Sequence, residues 1–148
     1  MRGEFILVPA KFYFFLIISF LVYNTSWATN YYVDKNHSNA SDNNPGTQNL
    51  PFETIQKGID IAQAGDTVFI KSGIYVPGSA GLRMVRSGTS GNKIVFKNYG
   101  NDSVVVDLTG APKYSWDWTG FNGTFLHYLV IDGLYFENGT NQVVIRGN

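Results

Sequence analysis

"PFETIQKGIDIAQAGDTVFIKSGIYV", Pro51 to Val76, passes from a helical pattern to a strand pattern without a break. Pro51 suits the first turn of a helix. Phe52, Ile55, Ile59 and Ala62 then recur at helical spacing and make one apolar stripe. Gly65-Asp66 ends the helix, and a strand is expected over Thr67 to Lys71. Upstream, Tyr31 to Asp34 is a short aromatic and β-branched strand, and Asn36 to Asn49 is a loop crowded with turn residues. This is the single helical pattern in a chain otherwise made of short strands and turns.

Downstream the theme is constant. Apolar triplets at Val68–Ile70, Ile94–Phe96, Val104–Val106, Leu129–Ile131 and Val143–Ile145 alternate with turns rich in Gly, Asn, Asp and Ser. A strand-turn unit that recurs with no crossover helix predicts a solenoid. In a parallel β-helix, alternate residues of each triplet enter a shared core, and Gly and Asn serve the corners. An antiparallel sandwich competes, because Asn138-Gly139 and Asn122-Gly123 are also hairpin signals. The lone helix separates the two readings. A solenoid must cover the open end of its core, and an amphipathic helix ahead of the first triplet can do so; a sandwich has no such need. The expected fold is therefore all-β, a parallel β-helix with an N-terminal amphipathic capping helix.

The order of these pieces resembles a known family. "YYVDKNHSNASDNNPGTQNLPFETIQKGIDIAQAGDTVFIKSGIY" is similar to the N-terminal cap of the secreted right-handed parallel β-helix proteins of the pectate-lyase-like superfamily. "SGTSGNKIVFKNYGNDSVVVD" and "YLVIDGLYFENG" look like their first coils, so the resemblance runs from about Tyr31 to the last residue. It implies a right-handed solenoid and specifies reaction weakly, since such proteins include uronate lyases, epimerases, hydrolases and non-enzymatic surface proteins. They generally need many coils, and the triplets here suggest about four or five. A solenoid ending at Asn148 would leave an open strand edge, so a truncated piece of a longer protein is expected.

The N-terminus indicates export. Arg2 and Lys11 precede an apolar run from Phe12 to Tyr23, and Ser26-Trp27-Ala28 offers small residues at the positions a signal peptidase reads. The expected division is a signal peptide at 1–28 and a β-helix portion at 29–148. The apolar run is shorter than the roughly 20 residues a membrane span needs, so cleavage and secretion, extracellular or periplasmic, are favoured over an anchor. The chain has 11 bases and 11 acids; without Arg2, Lys11 and Glu4 it keeps nine and ten. Near-neutrality argues against a nucleic-acid partner. The absence of cysteine excludes a disulfide framework and a thiolate metal site.

Site chemistry is sparse. "YSWDWTGFNGTF" places Tyr114, Trp116, Trp118 and Phe121 in an expected loop between coils. Exposed Trp116 and Trp118 would stack on sugar rings, the alternative being simple packing against the solenoid. Uronate lyases of the resembling superfamily commonly remove the C5 proton with Lys or Arg, while Ca²⁺ held by clustered acids neutralises the carboxylate. Here Asp66, Asp102, Asp107, Asp117, Asp132 and Glu137 are dispersed without metal-ligand spacing. No metal site or cofactor is expected in this portion, and Ca²⁺ is implied only for a full-length enzyme. No segment matches a catalytic motif, so no catalytic residue is assigned. Asp107 and Asp132 follow triplets and could pair along a groove, although Asp at a strand end more often accepts turn amides. Lys97 and Arg146 could accept a proton only with a strongly depressed pKa and are read as solvated charges, His37 and His127 as surface and structural residues.

The resemblance thus implies the N-terminal part of a secreted polysaccharide lyase, acting by β-elimination on an acidic polymer, with this portion inactive alone. The alternative is a non-catalytic β-helix module that binds glycans or displays a surface.

Overall fold

The computed structural model describes residues 27–111, 116–117 and 126–139. Among these residues nine strands and one α-helix follow in order: β1 (Asn30–Val33), α1 (Ile55–Ile61), β2 (Thr67–Ile70), β3 (Gly73–Tyr75), β4 (Leu82–Arg83), β5 (Ile94–Asn98), β6 (Val104–Asp107), β7 (Trp116–Asp117), β8 (Leu129–Asp132) and β9 (Leu134–Glu137). They form three sheets, ordered β1-β2-β5-β8, β3-β6-β9 and β4-β7. Every pairing is parallel. The chain therefore visits the sheets in rotation and lays each strand on its counterpart one coil earlier, which rules out the antiparallel sandwich.

Register explains the core. On the first sheet Tyr31, Val68, Phe96 and Ile131 stand over one another, as do Val33, Ile70 and Asn98. On the second sheet Tyr75, Val106 and Phe136 make a row. Val33, Val68, Ile70, Phe96 and Val106 are fully buried. Successive strand residues point to opposite sides, so alternate residues of each sheet close a common interior. Asn98 breaks the apolar row, and its Nδ2 donates to the Asp102 carbonyl at 2.9 Å, which satisfies a polar group carried into the wall.

The triplets are distributed differently from one per coil. Val68–Ile70, Ile94–Phe96 and Leu129–Ile131 belong to the first sheet, whereas Val104–Val106 belongs to the second. Strands β3, β4, β7 and β9 complete the coils; two of them have only two residues, too few to show an alternation. The triplet Val143–Ile145 lies outside the described residues.

The helix also begins later than the sequence suggests. Pro51 and Phe52 precede it in extended form, Phe52 forming a parallel bridge to Val33. Phe52 donates to the Tyr32 carbonyl and accepts from Asp34 N–H, both at 2.9 Å. The Asp42 carboxylate takes the amides of Glu53 and Thr54 at 3.0 and 2.9 Å and the Thr54 hydroxyl at 2.7 Å. Thr54 then caps the helix by accepting from Lys57 N–H at 3.2 Å. Ile55, Ile59 and Ala62 keep the expected apolar stripe and are buried. At the other end Arg86 Nη1 donates to the carbonyls of Asp60 and Ala62, each at 2.7 Å, meeting two of the acceptors a helix terminus leaves open. The helix packs against β1, β2 and β4.

Candidate functional site

The first sheet has an outer face as well as an inner one. Its outward row runs Tyr32, Phe69, Lys97, Asp132 across β1, β2, β5 and β8. Outward residues need not be polar, and here the first two positions are aromatic. Tyr32 and Phe69 stack with centroids 5.5 Å apart. Tyr99, just past β5, meets both edge-on at 5.9 Å. Such pairs contribute about 0.5–1.5 kcal/mol each beyond area burial. All three rings are half-exposed.

Charges frame the rings. Lys71 Nζ lies 5.3 Å from the Tyr99 ring centre and 3.6 Å from an Asp34 carboxylate oxygen. Lys97 Nζ lies 3.9 Å from Asp132. The exposed Lys97–Asp132 pair contributes about 0–1 kcal/mol, so a competing anion can draw Lys97 away at small cost, whereas Lys71 and Asp34 are mostly buried. The face thus offers a ring platform for the apolar side of a sugar and two cations for a carboxylate. Each step across the sheet is about 4.8 Å, comparable to the length of one sugar residue in an extended polymer.

Trp116 lies in β7, paired with Leu82 of β4, rather than in a loop. Trp118 and Arg146 lie outside the described residues. Asp107 and Asp132 do not meet: register places Asp107 beside Glu137 on the second sheet and Asp132 beside Lys97 on the first. Asp107 accepts from Thr109 N–H at 2.9 Å, Thr109 Oγ1 at 2.7 Å and Asn138 Nδ2 at 2.9 Å, the turn role expected of Asp at a strand end. These bonds, Asn138's foremost, hold its carboxyl below the usual range. Among the described residues no group of three acidic, histidine or cysteine side chains could hold a metal ion. Asp34 is paired with Lys71, and Asp42 and Asp66 accept backbone amides. These residues do not fit a Ca²⁺ site.

A cleft of about 330 Å³ beside the helix start is lined by Lys35, Glu53, Gln56, Tyr75 and Leu82, among others. Lys35 donates to the Ile74 carbonyl at 2.7 Å, and Gln56 exchanges two hydrogen bonds with the Arg83 backbone. With those groups occupied, the cleft is a weaker candidate than the sheet face. The ring row was missed in the sequence because the triplets were read for their inward residues. Superposing Tyr32, Phe69 and Lys97 as the alternate positions would have exposed it.

Comparison with known proteins agrees with this architecture. Residues 31–148 match the model of the Pel9A-like right-handed beta-helix region. The chain is 35% identical over 100 residues to the uncharacterized protein YwoF of Bacillus subtilis, covering 68% of this chain and 21% of that one. It is 35% identical over 75 residues to pectate lyase PEL9 of Emericella nidulans, covering 49% of this chain and 18% of the relative. A solved rhamnogalacturonan lyase superposes with a TM-score of 0.50 at 26% identity, covering 76% of this chain and 28% of that structure. The chain thus spans about a fifth of the length of these two curated relatives. With its three parallel sheets and a match over residues 31–148, the chain belongs to the Pel9A-like family of right-handed β-helices.

Proposed function

We propose that this chain is the N-terminal part of an extracellular polysaccharide lyase acting on uronate-containing polymers. The observation that carries the reading is the family match across residues 31–148, which joins the chain to a fold shared with a pectate lyase. In β-elimination a base takes the C5 proton, the C4–O4 bond breaks, a C4=C5 double bond forms, and the departing oxygen gains a proton. The described residues contain neither a carboxylate cluster nor a lysine free of an ion pair beside the rings, so the reacting groups are assigned to other coils. This portion supplies a closed end, in which α1 and Phe52 cover the first coil, and a sheet face that receives the polymer. Tyr32, Phe69 and Tyr99 stack on sugar rings, with Lys71 and Lys97 meeting carboxylates; Trp116 and Trp118 are the further sugar-stacking residues of this reading.

The test is an assay of the full-length secreted protein on polygalacturonate and on rhamnogalacturonan, following the ultraviolet absorbance of the new double bond. Absorbance gain with either polymer, absent for residues 29–148 alone, is the expected result. Loss of activity with a calcium chelator would assign Ca²⁺ to the remaining coils. Polymer binding without any unsaturated product would overturn the lyase reading in favour of a glycan-binding module.

A further inference from the structure

Asp66 is the one buried charged residue among those described, at 3% exposure. It sits in the turn between α1 and β2, and its two oxygens face different elements. Oδ2 accepts Gln63 N–H at 2.8 Å, just past the helix. Oδ1 accepts Thr29 N–H at 2.8 Å, at the head of β1. Neither ion pair found among the described residues reaches Asp66. A buried carboxylate that faces only amides lacks a counter-charge, and such burial is costly unless a cation accompanies it.

Thr29 is also the first residue after the expected leader, an observation independent of the burial of Asp66. Hydrolysis of the Ala28–Thr29 bond adds one water: the C–N bond breaks, the carbonyl carbon gains the water oxygen and leaves as the Ala28 carboxylate, and the nitrogen takes both water protons and becomes an α-ammonium. We propose that this new Thr29 ammonium is the missing counter-charge, so that leader removal converts a hydrogen bond from a neutral amide to the Asp66 carboxylate into an ion pair that locks β1 onto the helix and β2. The inference rests on the secretion reading. Its geometry is already in place, because Thr67 N–H donates to the Thr29 carbonyl at 2.9 Å and holds the nitrogen against the carboxylate. Ala28 and Thr29 are exposed, so the leader can depart without uncovering the core, and the other ammonium protons reach water. Two charged residues bond to the backbone on either side of Asp66: Arg86 donates to the Asp60 and Ala62 carbonyls, and the Lys93 backbone carbonyl accepts Gly65 N–H.

Intact mass and N-terminal sequencing of the full-length exported protein come first, with Thr29 expected at the terminus. Denaturant unfolding then compares it with a cytosolic form carrying Met before Ala28, in which the Thr29 nitrogen stays an amide. The exported form should have a folding equilibrium constant about tenfold larger at pH 6. The ammonium titrates higher in the folded state, so this advantage is full below the free α-amine value of ~7.7 and disappears as pH rises through the folded value. Asp66→Asn should remove it at all pH; if that variant does not fold, the pH comparison of the two native sequences decides. A terminus other than Thr29 overturns the leader reading and the ion pair together. Thr29 at the terminus with equal stability of the two forms at pH 6 overturns the ion pair alone.

Discussion

Tyr75 and Asp107 show how single positions carry the wall of the solenoid. Tyr75 turns its ring into the second sheet's inner row and donates its hydroxyl to the Lys71 carbonyl at 2.9 Å. Burial pushes its pKa up to about 12. A raised folded value means the neutral phenol contributes stability fully below the unfolded value of 10.0, and that contribution is lost as pH rises from there through about 12. Alkaline unfolding followed by circular dichroism should therefore steepen above pH 10. Tyr75→Phe should flatten that limb and cost about 1 kcal/mol at neutral pH, from the hydrogen bond removed. Asp107 works in the opposite direction. Asn138, reaching down from the end of β9, and Thr109 both favour its ionised form, so its contribution is present above the ordinary value of 3.8 and is lost as pH falls through the lower folded value. In an NMR titration Asn138→Ala should move the Asp107 carboxyl upward, toward 3.8, while other carboxyls stay in place.

At the scale of the element, the helix is short because packing, rather than propensity, holds it. Seven residues are marginal as an isolated helix. A Cβ added at Gly58 would lie 2.8 Å from Val68 Cγ1 and 3.3 Å from Val33 Cγ2, so the helix approaches β1 and β2 through a position where even a methyl forces its neighbours to shift. Ala is worth about 1 kcal/mol more than Gly in an exposed helix interior, but overpacking a core costs about 1–3 kcal/mol. Gly58→Ala is expected to destabilise by about 1 kcal/mol in denaturant unfolding; a stabilised variant would show that α1 stands off the strands. The turn between β8 and β9 makes the same point at a corner. Gly133 has φ +67, and a Cβ there would collide with the Asn98 side chain one coil below. Gly133→Ala should cost at least the ~1–2 kcal/mol of a left-handed residue.

For the whole molecule, the stacking of coils is what turns isolated side chains into a surface. Tyr32 and Phe69 are far apart along the chain and become neighbours only because β1 lies on β2. If this face receives an acidic polymer, Tyr32→Ala and Tyr99→Ala should each weaken polygalacturonate binding in affinity electrophoresis by about two- to twelvefold, the ~0.5–1.5 kcal/mol of one ring contact. Lys97→Ala should weaken it too, with the loss fading at high salt as exposed charges are screened. Unchanged mobility for all three variants would move the polymer to another face.

Much of this architecture could be read locally. The two-residue period of "TVFI", "IVFKN" and "VVVD" marked strands and their buried members, because alternation follows from backbone geometry alone. The helical stripe of Ile55, Ile59 and Ala62 was legible for the same reason, although Asp42's capture of the Glu53 and Thr54 amides, across the intervening loop, set where the helix begins. The succession of loop, helix and strand was enough to point to the family. Tertiary structure alone decided which sheet each triplet joined, since this depends on the turn lengths between strands and on hydrogen bonds to the coil before. It therefore also decided that Asp107 and Asp132 stand on different walls, that Tyr32, Phe69 and Tyr99 share one face, and that Thr29 meets Asp66. The sequence by itself determined what each residue could offer and which side of its strand it occupies; only the stacked coils decided what it stands beside.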